Sequence, residues 1–377
     1  MKKESNFGRF LLLWGGELVS SIGGGLTSFG LGVYIFQRTG SAASMALVTL
    51  LGFLPTLLLS VLAGVLADRY DRRLLMMIGD GCSTLGIGYI LLCMLRGGAS
   101  LAQICAGVFI SAVFSALLEP AFRATITDLL TKEEYSKASG LVSLAGSTRY
   151  LFSPIIAGFL LTVSDVKLLL ILDICTFFLT VLSAAVVRRG LGAQVSEAKE
   201  PFWQSMRGGW RALRAKPGIL LLVMVSSAIT LFMGMFQILV EPLVLSISDA
   251  QTLGVAETVC ACGMLASGLF LGIKGLKGRY GKTLALSLIL AGGFMVGFSL
   301  FESIPLLCAF GFLFMATLPF ASNCLDYLMR TNIPDAVQGR AWGLIGFLSQ
   351  LGYVAAYAVS GAAVDAIGRL TGRGVGR

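Results

Sequence analysis

The sequence predicts an all-α polytopic membrane protein. Of its 377 residues 56% are hydrophobic, with a mean hydropathy of +0.85. Only 13% are charged, roughly half the share found in a soluble domain. Apolar stretches also succeed one another with short polar gaps. Each is long enough to cross a hydrocarbon core about 30 Å thick, which takes roughly 20 helical residues. No length remains for a soluble catalytic domain, so an enzyme is not expected.

In chain order the apolar runs lie at about 11–36, 41–67, 74–95, 99–122, 138–163, 168–187, 218–246, 250–273, 283–301, 304–328 and 341–366, which makes eleven spans. The opening MKKESNFGRF leads into a stretch too long for a signal peptide and without a small-residue cleavage pattern, so it reads as a retained first helix. Orientation follows from the basic residues. Alternate loops starting at the N-terminus collect 22 of the 29 Lys and Arg, whereas the opposite loops before the tail hold only Arg38, Arg96 and Lys167. The positive-inside bias therefore puts the N-terminus in the cytoplasm. The net charge of +9 is directed at an anionic lipid face and not at nucleic acid. Eleven spans leave Arg369, Arg373 and Arg377 outside, one helix short of an even count.

The one long loop divides the chain into an N-terminal bundle over 1–187, a cytoplasmic linker over 188–217 and a C-terminal bundle over 218–377 with five helices. Within the linker Trp203, Met206, Trp210 and Leu213 recur at helical spacing with Arg207, Arg211 and Arg214 between them. That is the pattern of an amphipathic helix lying on the inner membrane surface, weakened by Gly208 and Gly209. Binding of a calmodulin-like partner or of nucleic acid is the rival reading.

Several chemistries drop out. There is no histidine, and carboxylates are left as the side chains able to carry protons near neutral pH. Most of the eight cysteines, Cys82, Cys93, Cys175 and Cys324 among them, lie inside apolar runs, and no CxxC pair occurs. Neither a disulfide scaffold nor a metal site is expected. The stretch Gly275 to Thr283 approaches a phosphate-binding loop, but Leu276 stands where that loop needs glycine, so no ATPase and no cofactor are expected. Energy must come from an ion gradient.

The two halves echo each other. Gly64-Val-Leu-Ala-Asp68-Arg69-Tyr70-Asp71-Arg72-Arg73 follows the second span, and Lys277-Gly278-Arg279-Tyr280-Gly281-Lys282 follows the eighth. Farther on, the segment holding Lys137, Ala138, Gly140 and Leu141 aligns with Arg340, Ala341, Gly343 and Leu344. Both offsets are near 200 residues, as expected of two duplicated six-helix units with the last helix of the second absent.

Gly64 to Arg73 resembles the inter-helix signature of the major facilitator superfamily, departing from it at Asp71, where the second glycine is expected. The segments LLLWGGELVSSIGGGLTSFGLGVYIFQRTGS, GVLADRYDRRLLMMIGD and GGWRALRAKPGILLL are similar to the macrolide-efflux-like exporter branch, and the likeness runs to about Ile367. It implies two pseudo-symmetric six-helix bundles in a bacterial inner membrane, acting as a monomer by alternating access. Gly64, Asp68, Arg69, Arg72 and Arg73 would form the gating motif, with Asp68 at the positive end of a neighbouring helix and Arg69 paired to a carboxylate. A second signature, tied to antiporters, is matched in part by Gly140, Pro154 and Gly158 on the fifth span, with Ser153 and Arg149 replacing glycines. Helix kinking at Pro154 explains much of that pattern without antiport.

A charge inside a membrane helix costs at least ~2.5 kcal/mol and needs a partner or a wet cavity. Glu17 lies on the first span, which by resemblance lines the substrate cavity, and leads the proton-coupling candidates. Arg149 and Asp326 complete them. Arg149 needs a carboxylate, with Glu17, Glu119 and Asp173 available. Glu119 is expected to pair with Arg123, Asp80 and Asp173 suit helix anchoring, and Glu257 is, with Asp326, a second-half counterpart. Phe232, Phe236, Phe312, Phe314 and Phe320 suit either an apolar pocket or a lipid face. The expected activity is proton-coupled efflux of hydrophobic small molecules, with protons and membrane lipid as further partners. Uptake of a metabolite on the same fold and a non-transporting sensor or scaffold are the alternatives.

Overall fold

The computed structural model describes residues 6–131, 134–189, 210, 217–276, 278–333 and 338–371. Its helices are α1 (Phe7–Thr39), α2 (Ala42–Arg69), α3 (Arg72–Leu95), α4 (Leu101–Ser115), α5 (Leu118–Leu129), α6 (Tyr135–Leu151), α7 (Ser153–Val163), α8 (Val166–Arg188), α9 (Pro217–Ile247), α10 (Ala250–Lys274), α11 (Tyr280–Leu300), α12 (Ile304–Asn332) and α13 (Gln338–Thr371). Among the described residues, eleven helical segments are long and apolar enough to cross a membrane. They coincide with the eleven runs read from the sequence. Large side chains such as Ile273, Ile289, Val163 and Leu300 stay exposed on their outer faces, as a lipid-facing surface requires.

Two spans are broken, each beside a proline. The fourth splits into α4 and α5 at Ala116–Leu117, just before Pro120, where the Leu117 N–H reaches back only to Phe114. The fifth splits into α6 and α7 at Phe152, before Pro154. Proline lacks the N–H that would continue the ladder, and its ring crowds the preceding turn. Helix starts are capped by side chains. Ser41 opens α2, Ser100 and Gln103 form a capping box on α4, and Asp165 and Asp249 cap α8 and α10. Each cap satisfies N–H groups that a bilayer core would leave bare.

The chain forms two compact units. One holds α1 to α8 together with the end of α13 from Val364 onward, and the other holds α9 to α13 up to Ala363. In the first unit Asp365 accepts hydrogen bonds from the Ser41 hydroxyl and from the Ala42 and Ala43 N–H groups, adding a carboxylate to the start of α2. The last turns of α13 thus group with the first unit and not with the C-terminal bundle. Of the linker only Arg188, Arg189, Trp210 and Pro217 are described, and the Trp210 side chain is exposed. Trp203, Met206, Arg207, Gly208, Gly209, Arg211, Leu213 and Arg214 lie outside the described residues, as do Lys277 and the side chain of Arg340.

Close helix crossings repeat between the units. A Cβ at Gly25 of α1 would collide with Ser153 of α7, and a Cβ at Gly234 of α9 would collide with Ala356 of α13. Ser153 and Ala356 stand at the same offset as Lys137 and Arg340, while Gly25 and Gly234 stand within one position of the offset of Arg69 and Arg279. The echo in the sequence therefore reappears as one crossing built twice.

Candidate functional site

The loop between α2 and α3 is locked by charge. Arg72 pairs with Asp128 of α5 at 2.6 Å and donates to the Ala67 and Ala124 carbonyls. Arg73, only 2% exposed, reaches the other Asp128 oxygen at 3.5 Å while its Nε has no partner among the described residues. Asp71 caps α3 through the Arg73 N–H and accepts from Arg188 of α8 at 2.7 Å. Burial pushes the Asp71 carboxyl up, but the Arg188 hydrogen bond, the Arg73 N–H and the two positive charges outweigh it and hold it below its usual value. Beneath this lock Phe10, Leu13, Met76, Phe122, Leu129 and Val187 close an apolar cluster.

Pairing thus falls to Arg72, Arg73 and Arg188. Arg69, expected beside a carboxylate, is exposed and makes no ion pair among the described residues. Gly64 meets nothing that a Cβ would touch. Asp68 closes the last turn of α2, and its side chain lies outside the described residues. The true carboxylate partner, Asp128, was not singled out from the sequence.

Above the apolar cluster, carboxylates gather on the faces of α1, α3 and α8. Glu17 of α1 has one sealed oxygen, Oε2, without a hydrogen bond, and it is in electrostatic contact with Glu119. Asp80 of α3 is 1% exposed and interacts with Glu17 and Asp173. Asp173 of α8, also 1% exposed, packs over Gly23 of α1 and interacts with Arg149. The arrangement follows from α1, whose glycines let α8 approach closely. A Cβ at Gly16 would overlap Ser183, and one at Gly23 would overlap Thr176.

Arg149, set by the sequence beside three possible carboxylates, donates to Ser28 of α1 at 2.8 Å and has Asp173 as its electrostatic partner. Glu119 pairs with Arg123 at 2.8 Å on an exposed face of α5. Pro154 and Gly158 are buried on α7, and the neighbouring Ser153 donates to the Ile22 carbonyl of α1 at 3.0 Å. Gly140 lies on α6.

In the second unit polar contacts join α9 to α13. Ser227 donates to the Leu348 carbonyl, Thr230 to that of Ser349, and Tyr357 to Gln237. Phe236 stacks on Phe314 with centroids 5.1 Å apart and lies 4.9 Å from Phe298. Phe236 and Phe314 are buried, whereas Phe232 is exposed. Asp326 is half-buried near the end of α12. Glu241 of α9, next to Pro242, is in electrostatic contact with Glu257 of α10. Glu241 was missed in the sequence. An acid flanked by apolar residues in the last third of an apolar span was the signal for it. No group of His, Cys, Asp and Glu suited to holding a metal occurs among the described residues.

A model of the Major Facilitator Superfamily matches residues 13–357. The chain belongs to the major facilitator superfamily. Macrolide efflux protein A of Streptococcus pyogenes is 28% identical over 98% of this chain and 92% of its own length. The multidrug efflux pump Tap of Mycolicibacterium fortuitum is 24% identical over 96% of this chain and 90% of its own, and the enterobactin exporter EntS of Shigella flexneri is 29% identical over 87% and 78%. The fold matches the inward-facing crystal structure of a bacterial homologue of the iron transporter ferroportin, with a TM-score of 0.73 at 15% identity over 96% of this chain and 92% of that one. It also matches the inward-facing, unoccupied crystal structure of a bacterial homologue of the lysosomal transporter Spinster, with a TM-score of 0.71 at 16% identity over 99% and 86%. This superfamily member is therefore an integral membrane transporter by family and fold, and its relatives include efflux pumps.

Proposed function

We propose that this chain exports hydrophobic small molecules across a bacterial inner membrane, driven by protons entering in exchange, with its N-terminus in the cytoplasm. The relatives named above support export, and the apolar, aromatic second unit supports a hydrophobic cargo. The observation that carries proton coupling is Glu17, an acid on the first span with a sealed oxygen that no described residue satisfies. Protonation removes the cost of a buried unpaired charge, and deprotonation requires access to water. Alternating exposure of Glu17 to the two sides would then link proton entry to cargo exit. The locked α2–α3 loop would move as one rigid piece in that cycle.

Proteoliposomes test the proposal, with ethidium as a hydrophobic cation and erythromycin as a macrolide. An imposed pH gradient should drive accumulation of at least one probe, and a protonophore should abolish it. Accumulation that survives the protonophore and follows a sodium gradient instead would refute proton coupling, and failure with every member of a wide hydrophobic panel would refute the cargo class.

A further inference from the structure

Asp80 and Asp173 are each 1% exposed, and each has one carboxyl oxygen that no described residue satisfies. Asp80 faces Thr180 of α8, whose hydroxyl hydrogen goes to the Gly16 carbonyl of α1 at 3.2 Å. Asp173 faces Thr176, whose hydroxyl hydrogen goes to the main-chain carbonyl of Asp173 at 2.7 Å. A hydroxyl that has given away its one hydrogen can only accept, and an ionised carboxylate can also only accept. With its hydrogen on the carbonyl either hydroxyl accepts from a protonated acid, and with the hydrogen turned to the carboxyl it serves an ionised one, so these contacts fit both forms. The orphaned carboxyl oxygens favour the protonated form. Asp80 Oδ2 and Asp173 Oδ1 have no hydrogen-bond partner among the described residues, and Thr27, only 6% exposed, turns its hydroxyl toward the Asp173 carboxyl.

The surrounding charges point the same way. Glu17 of α1 and Asp173 of α8 both face Asp80, Arg149 of α6 faces Asp173, and Glu119 of α5 faces Glu17 while paired to Arg123. One guanidinium is set against three acids with sealed oxygens, and a buried carboxylate without a partner costs several kcal/mol. A metal ion is the wrong occupant. A hard cation takes about six oxygens, and α1 lies so close that even a Cβ at Gly23 would strike the Thr176 hydroxyl and Asp173 Oδ1.

We propose that Asp80 and Asp173 form a second proton-binding pair inside the first unit, neutral in this conformation, which exchanges protons with water during the transport cycle alongside Glu17. On release the acid O–H bond breaks and the proton leaves on water. The carboxylate left behind keeps the bonding electrons and accepts the hydroxyl hydrogen of Thr180 or Thr176, which turns away from its backbone carbonyl. The protonation is independent of the exporter reading, and only its role in coupling rests on that reading.

Infrared spectroscopy of the purified full chain in deuterated buffer reads the carbonyl stretch of protonated carboxyl groups directly. The wild-type band should fade on alkaline titration, with Asp80→Asn and Asp173→Asn each removing a component distinct from the one removed by Glu17→Gln. Thr27→Val keeps the Asp173 acid and should shift its component, which decides the matter if an Asn variant fails to fold. Asn variants with the wild-type band, or an Asp component that never titrates, would overturn the pair, and so would a component displaced by sodium instead of alkali. In liposomes Asp173→Asn should lose pH-driven ethidium accumulation and keep ethidium counterflow, and unchanged driven accumulation would remove the pair from coupling. If wild-type liposomes move no probe, the exporter reading fails while the spectra still decide the pair.

Discussion

The loop joining α2 to α3 and the one joining α10 to α11 hold corresponding places in the two units, yet different chemistry secures them. The first is bound by Asp128 gripping Arg72 and Arg73, with Asp71 gripping Arg188. At the second, Tyr280 stacks on Tyr327 of α12 with centroids 3.6 Å apart and ring planes within 10°. The contrast runs deeper into each unit. The first carries Glu17, Asp80, Asp173 and Arg149 between its helices, whereas the second carries hydroxyl-to-carbonyl bonds, a phenylalanine cluster and the pair Glu241 and Glu257. Duplication kept the crossing geometry and let the chemistry diverge. Among the described residues the first unit joins Asp173 to Arg149, whereas the second carries Glu241 and Glu257 together with an aromatic cluster.

Asp128→Ala gives the largest expected effect on that contrast. It strands Arg73 in the protein interior, and breaking a buried pair costs about 3–5 kcal/mol. Thermal unfolding in detergent should show a marked drop, while a midpoint near wild type would mean that the lock is incidental. The shared crossing comes next. Gly25→Leu and Gly234→Leu should each destabilise by about 1–3 kcal/mol or more through overpacking, and Gly24→Leu, where a Cβ meets nothing, serves as the control. If only one of the two is sensitive, the crossings are not equivalent. Tyr327→Leu removes the stack and should cost only about 1 kcal/mol.

The smallest effect concerns pH. Because the folded Asp71 carboxyl sits below its usual 3.8, its stabilisation is fully present at neutral pH and is lost only as pH falls through the lowered value. Arg188→Gln should therefore lower stability at neutral pH, by no more than about 1 kcal/mol because Arg188 is 43% exposed. The two stabilities should converge as pH falls and Asp71 is protonated. Identical acid profiles for variant and wild type would remove Arg188 from the lock.

Much of the fold was legible because a bilayer imposes length and polarity on every span. The eleven spans, the break at Pro154 and the Glu119–Arg123 pair, four residues apart on one helix, all follow from local rules. The partners across helices did not. Arg72 and Arg73 open α3 while Asp128 lies at the end of α5, 56 positions beyond Arg72, so no local spacing joined them and Asp128 stayed hidden as their partner. Arg149 could be read as needing an acid, but finding Asp173 required the rotation of α6 against α8, which glycines on α1 decide. Asp80 and Asp173 read as helix anchors because the sequence does not show that each keeps a buried oxygen without a partner among the described residues.

Glu17→Gln tests most directly whether proton coupling runs through the first unit. The amide fixes a neutral side chain of nearly the same shape. In proteoliposomes the variant should lose accumulation driven by a pH gradient and keep counterflow of the same probe, because exchange needs no proton turnover. Accumulation at the wild-type level in a gradient-dependent manner would contradict that assignment.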